Sequence, residues 1–204
     1  MKTITITTDI LKSKTYIIIL QNSAILIDPS GTQKTYDKIQ SVLKEENKPL
    51  SAVFFTHGHF DHIALGHKYK GIAPIYIHKN DNHMLYTDSN FGAFFGYDIK
   101  PFEADNNLNG KEEIMIDGIK IKVLHTPGHS QGSVCYIIEN CIFSGDTLFK
   151  NSIGRTDLDG GSSLDMKKSL NALFSLSEDY IVYPGHGAPT TLRYEQDNNP
   201  YIKI

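Results

Sequence analysis

Three imidazoles and a carboxylate fall within six positions in His57-Gly58-His59-Phe60-Asp61-His62, directly after the apolar run Ala52-Val53-Phe54-Phe55. Nitrogen and oxygen donors in this mix suit zinc, iron or manganese. The chain holds nine His in 204 residues, so three in six positions is a concentration that a solvated turn does not account for. Three more donors each follow a short apolar stretch closed by Gly: His129 after Val123 to Gly128, Asp146 after Ile142 to Gly145, and His186 after Tyr180 to Gly185. A strand brings its last residue to a sheet edge, Gly allows a tight turn, and the next side chain is free to enter a shared cleft. The candidate ligands are therefore His57, His59, Asp61, His62, His129, Asp146 and His186. One catalytic zinc takes three protein ligands and keeps a place for water, so seven donors match two divalent ions with three each and one carboxylate shared. Asp146, alone on its segment, is the candidate bridge. Cys135 and Cys141 do not stand at a Cys-x-x-Cys spacing, so the cluster reads as catalytic rather than structural, with Asp61 and Asp146 as its catalytic carboxylates.

The elements that must position these donors are legible from periodicity. Strands are expected near 3–8, 15–20 and 24–28, a helix near 33–47, and strands near 52–55 and 74–78 flanking a short helix from about Asp61. A long connection is expected over about 80–110. Strands follow near 113–117, 119–125, 133–138 and 141–144, then a helix near 162–175, a strand near 180–183 and a short final helix near 190–197. Two strand-rich halves with helices imply an α/β fold of two mixed sheets face to face with helices outside, formed as a single domain over 1–204. The connection carries Tyr86, Phe91, Phe94, Phe95 and Tyr97, which reads either as a lid over the donors or as aromatics packing the loop onto its own domain. His67, His78, His83 and His125 read as surface or core residues rather than ligands.

Composition narrows the function classes. A net charge of −3 with scattered Lys and Arg gives no electrostatic argument for nucleic acid. The longest aliphatic run, Tyr16 to Leu20, is far short of the ~20 residues a membrane helix needs. Met1 to Thr8 alternates polar and apolar residues instead of forming a signal-peptide core, and Cys135 and Cys141 lie in apolar contexts that usually hold buried thiols. A reduced cytoplasmic protein is expected, with no nucleic-acid or membrane partner.

With these residues in place, the chain resembles the metallo-β-lactamase superfamily, whose His-x-His-x-Asp-His signature is followed by single His, Asp and His. Within it the similarity is greatest to the glyoxalase II group, on Thr126-Pro127-Gly128-His129-Ser130-Gln131-Gly132-Ser133, Ser144-Gly145-Asp146-Thr147-Leu148-Phe149 and Tyr183-Pro184-Gly185-His186-Gly187. The resemblance implies an αββα sandwich with the site at one edge between the sheets. It also implies that His57, His59 and His129 hold one metal, Asp61, His62 and His186 the other, and that Asp146 bridges. Only residues 187–204 follow the last ligand, so the resemblance points to the short subgroup without the helical domain that supplies part of the glutathione site. Arg155 stands where the long type has a Lys contacting glutathione, and could grip a substrate carboxylate or pair locally with Asp157.

The chemistry implied is hydrolysis of a small-molecule thioester, an S-acylglutathione such as S-lactoylglutathione, by hydroxide generated at two divalent ions, zinc first, with iron or manganese also accepted by these donors. A thiol leaving group, with a pKa of about 8.5, needs little proton assistance, whereas a lactam expels an amine that must be protonated. The rival is a persulfide dioxygenase with one iron on His57, His129 and Asp146, which the Gly154-Arg155-Thr156-Asp157 stretch also resembles. A third class is a metal-binding module without catalysis.

Overall fold

Alternation along the central strands divides the interior into three layers. In β2 (Lys14–Ile19) Ile17 and Ile19 face one side and Tyr16 and Ile18 the other. In β3 (Ala24–Ile27) Ala24 and Leu26 oppose Ile25 and Ile27, and β4 (Leu50–Phe54) with Phe55 separates Val53 and Phe55 from Ala52 and Phe54 in the same way. Both faces are apolar because both are covered, which is why these strands read as continuous hydrophobic runs.

The computed structural model describes residues 1–202. β1 (Lys2–Thr7), β2 and β3 pair antiparallel; β3, β4, β5 (Ile75–His78) and β6 (Asn106–Leu108) pair parallel, completing a mixed sheet in the order β1-β2-β3-β4-β5-β6. The second sheet contains β7 (Glu113–Ile116), β8 (Ile119–His125), β9 (Val134–Ile138) and β10 (Cys141–Gly145) as an antiparallel meander. Beyond the short hairpin of β11 (Leu148–Phe149) and β12 (Ser152–Ile153), β13 (Ile181–Pro184) pairs parallel to β10, and β14 (Thr190–Thr191) closes that edge.

One helix, α1 (Gln33–Glu45), lays Ile39 and Leu43 on the outer face of the first sheet. On the far side α3 (Ser163–Phe174) and α4 (Leu192–Asn198) bury Met166, Leu170, Leu173 and Leu192 against Cys135, Ile137 and Val182 of the second. Between the sheets Tyr16, Ile18, Ile25, Ile27 and Phe54 meet Ile121, Val123, Val134, Tyr136 and Phe143. This is the four-layer αββα arrangement expected from the sequence. Hydrogen bonds join the sheets at one rim, among them Tyr136 Oη donating to Phe55 O (2.7 Å), Tyr16 Oη to Pro184 O (2.5 Å), Val134 N to Thr56 O (2.9 Å) and Lys14 N to Gly185 O (2.8 Å).

The expected connection over 80–110 is not structureless. It holds three short 3-10 turns and then β6, whose Asn106-Asn107-Leu108 lacks the alternating apolar pattern of a strand and is held as an edge by pairing to β5. Three of its aromatics pack against the donor segment, Phe95 and Tyr97 each stacking on Phe60 at 5.2 Å and Phe91 lying 5.3 Å from the His59 ring, while Phe94 stays exposed. Among the described residues no helix is long and apolar enough to cross a membrane.

Candidate metal centre

All seven donors converge on the rim where the sheets are stitched. β4 leads into His57 and His59, and the short helix α2 (Phe60–Ile63) turns Asp61 and His62 back toward them. From the second sheet, β8 leads to His129, β10 to Asp146 and β13 to His186. Gly185 is required by the crowding there, since a Cβ on it would lie 2.1 Å from Asp146 Oδ1 and 2.7 Å from His62 Cε1.

The donors form three overlapping groups, each with its ligand atoms within 4.8 Å of one another: His57, His59 and His129; His57, His62 and Asp146; and Asp61, His62 and His186. His59 Nδ1 faces His129 Nε2 at 2.8 Å, and His186 Nε2 lies 3.1 Å from Asp61 Oδ2. Asp146 spans the two sides, with Oδ1 3.4 Å from His62 Nε2 and Oδ2 3.5 Å from His129 Nε2 and 3.6 Å from His186 Nε2.

Neighbouring groups fix which ring nitrogen is free. The Thr56 hydroxyl donates its one hydrogen to Asp28 Oδ2 (2.6 Å), so His57 Nδ1, 3.1 Å away, must donate to Thr56 Oγ1. His57 Nε2 is then a lone pair, buried and without a hydrogen-bond partner. His129 Nδ1 donates to the carbonyl of Arg155 (2.8 Å) and His62 Nδ1 to Asp28 Oδ2 (2.9 Å), so in both rings Nε2 is the nitrogen that faces the cluster. Asp146 Oδ1 is likewise buried and unpartnered. Buried lone pairs without donors are costly unless a cation meets them, and these imidazole and carboxylate atoms fit a pair of divalent ions.

Electrostatics divide the cluster. Burial, reinforced by His62, holds His57 well below the usual histidine range, and burial with His129 does the same to His59. His62 goes the other way: burial opposes its charge, but Asp61 and Asp146 outweigh that and raise it. Burial would raise Asp61, yet His62 and His186 hold it below the ordinary carboxylate range. The His186 side chain is 28% exposed and His62 is sealed, so solvent reaches the cluster from the His186 side.

Arg155 is not drawn into the cluster. Its guanidinium makes a bidentate pair with Asp157, both distances 2.8 Å, on the exposed surface. Residues outside the seven matter more. Asp28, at a positive φ of 50° that Asp tolerates, takes Thr56 N, the Thr56 hydroxyl and His62. Asp81 is buried behind the His59 loop. The sequence signal for both was the one that revealed the ligands, an Asp just past an apolar strand, but without the Gly that precedes Asp146.

Residues 9–186 match the family model of the metallo-β-lactamase superfamily. The chain belongs to that superfamily. Within it, the probable metallo-hydrolase YqgX of Bacillus subtilis is 35% identical over 199 residues, covering 94% of this chain and 93% of that protein. The hydroxyacylglutathione hydrolase GloC of Haemophilus influenzae is 30% identical over 190 residues, covering 89% and 88%. Among solved structures, the BLEG-1 B3 metallo-β-lactamase superposes with a TM-score of 0.91 at 32% identity and full coverage of both chains. The αββα architecture and a hydrolase role are thus those of the superfamily, and the histidine and aspartate cluster suits its dinuclear metal sites.

Proposed function

We propose that this metallo-hydrolase cleaves small thioesters, with S-acylglutathiones such as S-lactoylglutathione as the substrate class, giving a hydroxy acid and a free thiol. His57, His59 and His129 would hold one divalent ion, Asp61, His62 and His186 the other, and Asp146 both, with zinc the expected metal. When bound, such ions lower the pKa of water toward ~7 and polarise an acyl oxygen. The observation that carries the reading is the set of buried, tautomer-fixed Nε2 atoms and the unpartnered Asp146 Oδ1 on a rim open beside His186.

The protein's own groups do the rest. Asp61, whose Oδ2 lies 3.1 Å from His186 Nε2 on the side open to solvent, is placed to accept a proton of the attacking water. A thiolate then leaves with little proton help, which suits a site whose imidazoles are committed to ligation. Beside Arg155 a cavity of about 650 Å³, lined by Ile153, Gly154, Leu164, Met166 and Tyr201, offers room for the thiol half of the substrate. Similarity to a hydroxyacylglutathione hydrolase supports this substrate class, and similarity to a B3 metallo-β-lactamase favours β-lactams as the second reading. The test is zinc-loaded protein assayed on S-D-lactoylglutathione, a thioester panel and a β-lactam. Thioester cleavage is expected; inactivity of fully metallated protein on every thioester sinks the proposal, and β-lactam turnover in its place establishes the second reading.

A further inference from the structure

A carboxylate outside the seven donors ties together the two loops that carry the all-imidazole half of the centre. Asp81 lies in the turn after β5 and is 1% exposed. Its Oδ2 accepts from Gly58 N (3.0 Å) and from the Ser130 hydroxyl (2.6 Å), and its Oδ1 accepts from Gly132 N (2.6 Å). Gly58 separates His57 from His59, and Ser130 follows His129. One side chain therefore clamps the loop from the first sheet to the loop from the second, at the points adjacent to the three imidazoles.

The packing around this carboxylate is close. A Cβ at Gly132 would lie 2.6 Å from Asp81 Cγ, so any side chain there would displace the carboxylate. Ser130 is held in turn by Ser133, whose hydroxyl accepts from Ser130 N at 3.1 Å and lies 2.7 Å from Ser130 Oγ. Burying an ionised carboxylate is unfavourable unless its lone pairs are met, and here they are met by two backbone N–H groups and a hydroxyl. None of the donors belongs to Asp61, His62 or His186.

We infer that Asp81 is a positioning residue for the ion held by His57, His59 and His129, fixing the distance between the two loops without touching the ion or the substrate. Groups that orient metal ligands from behind are worth about 10- to 100-fold in metal affinity. Asp81 acts through the backbone of the ligand loops, where Asp28 acts on the imidazole of His62 itself. The inference rests on the dinuclear reading of the site, but not on thioester cleavage.

Asp81→Asn tests it. The amide keeps the shape, but its nitrogen cannot accept, so at least one of the three donors loses its partner. Zinc would be titrated into metal-free wild type and variant against a chromophoric chelator, with far-UV circular dichroism and thermal melting of the metal-free proteins measured in parallel. The expected result is a folded variant in which one of two zinc ions binds about 10- to 100-fold more weakly and the other binds as in wild type. A folded variant that binds both ions with wild-type affinity, or weakens both equally, overturns the inference. If Asp81→Asn does not fold, Ser130→Ala and Gly132→Ala perturb the same clamp by removing one donor or crowding the carboxylate. Selective weakening of one ion in either sustains the inference, and unchanged affinity for both ions in both variants overturns it. Wild-type protein that binds two zinc ions yet cleaves no thioester would refute the proposed substrate and leave this test intact.

Discussion

The two halves of the centre are built differently although they share Asp146. One is three imidazoles, all buried, with His57 and His59 held well below the usual histidine range by burial, reinforced by His62 at His57 and by His129 at His59. The other pairs His62 and His186 with the Asp61 carboxylate and meets solvent at His186. Support from behind differs as well. Asp28 grips the His62 ring directly and reaches His57 through Thr56, whereas Asp81 holds only loop backbone and a hydroxyl around His57, His59 and His129. The lesson is that a neutral half-site has little to hold its rings in place by charge, so its geometry is delegated to the loops, while an anionic half-site is held by its own ion pairs.

The sharpest way to break this comparison is to remove what the halves share. Asp146→Ala should weaken both ions and lower hydrolysis by more than about a hundredfold, beyond the range for groups behind the ligands, as read by zinc titration and steady-state turnover. Loss of a single ion would mean that Asp146 belongs to one half only. Next, Asp28→Asn should lower affinity by roughly 10- to 100-fold at the half containing His62, with a smaller loss at the half containing His57. Equal loss at both halves would show the Thr56 relay to be as strong as direct contact.

Acid should act on the neutral half through its foundations. His78 ends β5, the strand leading to Asp81, and stacks at 4.1 Å on His125, which ends β8, the strand leading to His129. Burial, with repulsion from His125, lowers His78 from the usual 6.5 to about 4. The folded chain keeps it neutral where the unfolded chain is protonated, so its contribution is full above pH 6.5 and is lost as pH falls toward about 4. Denaturant midpoints of metal-free protein should decline across that window, and His78→Gln should flatten the decline; an unchanged slope would assign it to other groups. The smallest effect is expected at Tyr136→Phe, which leaves Phe55 O without its donor and should cost about 1 kcal/mol in chemical unfolding.

Much of this was legible in the sequence, for a physical reason. Strands buried on both faces appear as unbroken apolar runs, and each donor stood just past such a run, so the strand ends and the donor loops could be located together. β6, β11, β12 and β14 escaped because two- and three-residue strands have no period to detect and exist only through their partners. Asp28 and Asp81 escaped as parts of the site because a lone carboxylate after a strand also fits a turn. What makes them more than turn residues is their contact with segments 23 to 51 positions away, from Asp28 to Thr56 and from Asp81 to Gly58 and Gly132. Arg155, by contrast, was visible but ambiguous, and its pairing with Asp157 is the local alternative that adjacency allowed.

The hydrogen bonds from Tyr136 to Phe55, from Tyr16 to Pro184 and from Val134 to Thr56 cross between sheets whose shared interior is built mainly of apolar side chains. Apolar contact has no direction and tolerates a small slide of one layer over the other. Hydrogen bonds do not, since their strength falls steeply with misalignment. These three sit at the strand ends from which the donor loops depart, so they act as dowels: the alignment of one sheet on the other is fixed at the rim where alignment matters, and the apolar interior is left free to supply cohesion alone.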